Sequence, residues 1–105
     1  MNDDEVIADI CLQIRKAEAE IQWIDYNMDT LQTAYNITQT GGYTNEDTEI
    51  AYNIMDEFKK SFNVIKQVKQ YLEDRMETAM TVYGYEKYKE LTDFIYTHSN
   101  QWMMT

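Results

Sequence analysis

The sequence predicts an all-α protein: a long antiparallel helical hairpin of coiled-coil type with a shorter third helix, forming an elongated helical bundle. Three observations predict it. Ile7, Ile10, Ile14, Ala17, Ile21, Ile24, Met28, Leu31 and Tyr35 follow an unbroken 3-4 spacing, with Ile7, Ile14, Ile21, Met28 and Tyr35 in one column and Ile10, Ala17, Ile24 and Leu31 in the other. Every one is apolar or aromatic, which is the pattern of a helix–helix seam. The 105 residues include no Pro and three Gly, two of them adjacent at Gly41-Gly42, so the strongest helix breakers fall near mid-chain. A second long stripe, Ala51, Ile54/Met55, Phe58, Phe62, Ile65, Val68, Leu72, Met76, Ala79 and Val82/Tyr83, follows them at nearer the 3.6 period.

Helix 1 is expected over about 4–38, opened by Asp3 or Asp4 as cap and favourable charge at the dipole's positive end. The turn covers 39–45, where two Gly admit positive φ. Thr44 with Asp47 resembles a capping box and opens helix 2, about 46–82. Its wide stripe calls for more than one neighbour. Gly84 bends or ends it, and Tyr88, Leu91, Phe94/Ile95, His98 and Trp102 mark helix 3, about 86–102. The whole of 1–105 reads as one domain. A helix of some 35 residues reaches ~50 Å at ~1.5 Å per residue, too long for a sphere of this mass.

Charge is uneven. Nineteen Asp and Glu against nine Lys and Arg give −10. Residues 1–57 hold 13 acids and 2 bases, residues 58–105 hold 6 acids and 7 bases, and no Lys or Arg occurs from Ala17 to Phe58. Folding at Gly41-Gly42 places residue i opposite about 85−i, which predicts the cross-helix pairs Asp9–Arg75, Glu18–Lys66 or Lys69, and Asp25–Lys59 or Lys60. An acidic, tyrosine-bearing end is left over. Asp25, Asp29, Tyr43, Glu46, Asp47, Glu49, Tyr52, Asp56 and Glu57 are the candidate partner-binding residues. Such a surface attracts a basic protein face and repels nucleic acid and anionic lipid.

The residues needed for several chemistries are missing. One Cys, Cys11, allows no disulfide within the chain, and a partly buried structural thiol is expected there. The single His98 is preceded at three residues by Ile95, which does not make the Glu-x-x-His of a di-metal bundle. Asn45-Glu46-Asp47 lacks the alternation of a calcium loop, and the Gly pair lacks a phosphate-loop pattern. No catalytic residue, cofactor or metal ligand is assigned, and the chain is read as non-enzymatic. The sequon Asn36-Ile37-Thr38 falls inside helix 1 and is read as chance. The acidic start and the lack of a long apolar run imply the cytoplasm.

In outline the chain resembles the small Trp-x-Gly helical-hairpin substrates of type VII secretion, which share its length, acidity and mid-chain turn. The turn here reads Thr40-Gly41-Gly42-Tyr43 without Trp, and Tyr83, Tyr85 and Tyr88 are followed at four residues by Lys87, Lys89 and Thr92 instead of an acid. That resemblance implies a structural assembly subunit, working through a second copy or a helical partner. The chain also resembles, in size, acidity and lack of catalytic motif, the phage-encoded inhibitors of host defence such as anti-CRISPR proteins, some of which imitate nucleic acid. Carboxylates along a helix can occupy Arg and Lys sites meant for phosphate. The expected function is therefore blockade of a basic surface on a larger, nucleic-acid-handling protein of a bacterial host; the alternative is assembly through the Ile seam.

Overall fold

A computed structural model describes residues 3–102, without the side chains of Asp3, Tyr83, Lys87 and 98–102. The side chains of His98 and Trp102, expected in the stripe of helix 3, lie outside these described residues. The chain is all-helical, and no strand occurs among the described residues. Its elements are α1 (Asp3–Tyr26), α2 (Met28–Thr40), α3 (Asn45–Asp74) and α4 (Met76–Trp102), the last divided at Gly84. The radius of gyration is 16.6 Å and the extents are 56 × 22 × 21 Å. A compact chain of this length would measure ~13 Å, so the molecule is extended.

The long first helix bends at Asn27, where φ −103, ψ 16 departs from helical values. Its side-chain amide donates to the Trp23 carbonyl at 2.8 Å, while its backbone N–H is shared between the Trp23 and Ile24 carbonyls at 3.1 Å each. A short polar side chain that bonds the backbone locally competes with the helical ladder. The 3-4 spacing, which counts only apolar positions, does not register that competition. The expected single helix over 4–38 is thus α1 followed by α2. It begins at Asp3, placing Asp4 within the first turn instead of at the cap.

At the turn the Thr44 hydroxyl accepts from the Asp47 N–H at 3.1 Å and opens α3. Helix 2, expected to reach about 82, stops at Asp74. Arg75 takes φ −121, ψ 30, and its guanidinium lies 3.9 Å from the centre of the Tyr71 ring. Met76, expected in the core, is 45% exposed beyond this bend. Gly84 leaves the helical region altogether at φ 80, ψ 168.

Helix α3 is the spine, in contact with α1, α2 and α4. The Tyr71 hydroxyl donates to Asp9, Trp23 packs on Phe58 with ring centres 4.7 Å apart, and Thr38 lies 3.7 Å from the Met55 sulfur. Residue numbers rise on one side of these pairs and fall on the other, so α3 runs antiparallel to α1 and α2. The part of α4 after Gly84 turns back: Phe94 meets Phe62 at 6.3 Å and the Tyr88 hydroxyl donates to Glu73. The core joins Ile10, Ile14, Ala17, Ile24 and Leu31 to Phe58, Phe62, Ile65, Val68 and Leu72, with Ala79 and Leu91. Ile7, in the seam by spacing, is 36% exposed. No helix among the described residues is long and apolar enough to cross a membrane.

Candidate functional site

The nine candidate partner-binding residues are all exposed, but the structure distributes them over separate faces. Asp25 borders a groove between α1 and α4 with Glu90 and Asp93, and among the described residues no ion pair joins it to Lys59 or Lys60, its expected partners. Asp29 and Asp47 stand on the edges of a second groove, between α2 and α3. Glu57 lies beside Glu20 and Trp23 and forms an exposed ion pair with Lys60 at 3.3 Å. Glu49, Tyr52 and Asp56 recur at helical spacing on the outer face of α3. Tyr43 and Glu46 belong to the turn and the first turn of α3.

Two of the lysines expected to pair across helices form ion pairs within α3. Lys60 reaches Glu57 and Lys69 reaches Glu73, both within α3, and Lys66 sits 5.4 Å from the centre of the Phe62 ring. Asp9 takes its hydrogen bond from Tyr71, while Arg75 stacks on that ring. The physical reason is reach. Partners three or four residues apart on one helix already face each other, and the bends at Asn27 and Arg75 shift the register that the i-to-85−i relation assumes.

These contacts perturb three groups. The hydrogen bond from Lys69 holds the Glu73 carboxyl below its usual value. Burial, then the hydrogen bond to Asp9, pushes the Tyr71 hydroxyl up; burial, then Glu73, does the same for Tyr88. All three groups tie helices together at the end opposite the Gly41-Gly42 turn, away from the acidic residues. Among the described residues no cluster of three or more His, Cys, Asp or Glu has the geometry to hold a metal ion. Cys11 is a free, half-buried thiol.

Sequence reasoning missed the aliphatic lining of the α2–α3 groove. Ile37, Ile50 and Ile54 line it with Thr33, in a volume of about 340 Å³ that opens to solvent. Ile50 is 51% exposed and Trp23 40%. A signal was present, since Ile37 and Ile50 fall outside both apolar stripes although nothing polar about them explains it. The chain matches none of the protein-family models, curated proteins or solved structures compared with it.

Proposed function

We propose that this is a non-enzymatic, acidic helical protein that binds and blocks a basic surface of a larger protein, one that handles nucleic acid, in the cytoplasm of a bacterial host. A phage anti-defence inhibitor of anti-CRISPR type, acting as a nucleic-acid mimic, fits this description. One observation carries the reading. The stretch from Ala17 to Phe58 has no Lys or Arg, and the carboxylates at Asp25, Asp29, Glu46, Asp47, Glu49, Asp56 and Glu57 within it are exposed. A field of one sign over one end of an elongated molecule steers association with a cationic face.

The assembly alternative uses the Ile seam as a coiled-coil-like hairpin joined to a second copy or a helical partner. Ile10, Ile14 and Ile24 are buried in the chain's own core, so they are not free to make that contact. This favours the blocking reading.

The test is capture of partners from a bacterial lysate with tagged protein, washed at low and high salt. A large basic protein that is lost at high salt and competes with DNA or RNA supports the proposal. Exposed charges are screened beyond ~8 Å at physiological ionic strength. The double variant Asp56→Lys/Glu57→Lys should lose the partner while keeping its helicity by circular dichroism. Retention at high salt of only the chain itself, or of another short helical chain, overturns the proposal in favour of assembly.

A further inference from the structure

At the end of the molecule beyond Asn27, α2 lies on the N-terminal half of α3 and the groove between them is left open. Its floor is aliphatic, formed by Ile37, Ile50 and Ile54, and its edges carry Asp29 and Asp47. Ile50, Ile54, Glu57 and Ser61 are spaced by four, three and four residues, so they share one flank of α3. Glu57 and Ser61 face Glu20 and the half-exposed Trp23 across the next stretch of the same interhelical furrow. The flank thus presents a strip about 16 Å long, at ~1.5 Å per residue from Ile50 to Ser61, aliphatic at Ile50 and Ile54 and polar at Glu57 and Ser61, with Trp23 facing its polar stretch.

We propose that this strip docks a basic amphipathic helix of the partner. Aliphatic side chains at i, i+3 or i+4 and i+7 would lie along Ile37, Ile50 and Ile54, with Lys or Arg on either edge against Asp29, Asp47 and Glu57. This rests on the blocking reading and specifies the chemistry of what is bound. Three turns of helix span the strip, and helix-in-groove recognition uses that anchor spacing. Charge selects the occupant. A second copy would bring another −10 of net charge against these carboxylates, whereas flanking Lys and Arg complement them. A small molecule is disfavoured because the groove is open and at the lower end of the roughly 300–1,000 Å³ of ligand pockets.

The experiment is fluorescence anisotropy at physiological salt with a labelled synthetic peptide of three to five turns, carrying Leu at the anchor spacing and Lys on both flanks. A scrambled peptide of the same composition is the control. The amphipathic peptide is expected to bind at least ten-fold more tightly than the scrambled one. Ile50→Gln, a substitution at a half-exposed position, should abolish that difference without changing helicity or the weak binding of the scrambled peptide. Ile37→Gln should do the same from the other wall. Equal binding of the two peptides, reduced only by salt or by Asp56→Lys/Glu57→Lys, overturns the docking groove and leaves the acidic surface standing. Failure of both peptides to bind at millimolar concentration overturns both.

Discussion

Ile65 and Ile50 are the same side chain on the same helix, yet one is fully buried and the other is 51% exposed in the groove. Replacing each by Ala separates the core of the bundle from the surface offered for docking. At Ile65 the change removes buried aliphatic surface and leaves a cavity between α1 and α3, which costs ~2–5 kcal/mol. At Ile50 only about half of a burial term of ~1.5–3 kcal/mol is at stake. The open groove leaves no cavity, and the better helix propensity of Ala returns a few tenths of a kcal/mol. The expected losses are therefore ~3.5 kcal/mol at Ile65 and under ~1 kcal/mol at Ile50. With a urea slope of ~1.5 kcal/mol per M, the two unfolding midpoints should differ by roughly 2 M. Far-UV circular dichroism over a urea series measures both, repeated across a ten-fold range of protein concentration. A loss at Ile50 equal to that at Ile65 would refute the reasoning, since the groove would then be covered in the free protein. If that loss grew with concentration, the cover would be a second copy.

Gly84→Ala isolates a backbone effect, because a Cβ there would meet nothing within 4 Å while φ is +80. It should cost ~1–3 kcal/mol in urea denaturation. If α4 straightens instead, the radius of gyration by small-angle scattering should rise above 16.6 Å; no change in either would contradict the bend. Tyr71 and Tyr88 have hydroxyls held above their ordinary value of 10.0 by burial and by their carboxylate acceptors. The fold thus favours their protonated forms. That contribution is whole below pH 10 and is lost as pH rises through the raised folded values. Near-UV absorbance should show a late-titrating component that Tyr71→Phe/Tyr88→Phe removes, and that double variant should lose less stability between neutral and strongly alkaline pH than the parent. Equal losses would show that the Asp9 and Glu73 contacts carry no protonation preference.

Much of the helical character was legible because it depends on short-range pattern. Ile10, Ala17, Ile24 and Leu31 announce a buried face by spacing alone, and all four are buried. Thr44 announces a helix start through a bond that spans three residues. The bends at Asn27 and Arg75 were not legible. Asn27 is polar in a position where polarity is ordinary for an exposed face, and only the direction of its amide, toward the Trp23 carbonyl, turns it into a helix interruption. Arg75 looked like a cross-helix partner for Asp9, but Tyr71 takes both of them. A formal count of acids and bases assigns charge to a segment without assigning it to a face. The nine candidate residues accordingly share a region of sequence but stand on different sides of the bundle.

By itself the sequence determined that the chain is helical, that its breakers lie near Gly41-Gly42 and Gly84, and that its negative charge gathers before Phe58. Periodicity, glycine conformation and charge are properties of neighbouring residues, and the chain carries them into any packing. Only the tertiary structure decided that α4 returns onto α1 and α3 while the α2–α3 end keeps an open aliphatic groove. The physical reason is that burial belongs to pairs of surfaces. Ile50 and Ile65 carry the same side chain, but Ile65 is closed into the core while Ile50 stands in the open groove beside α2.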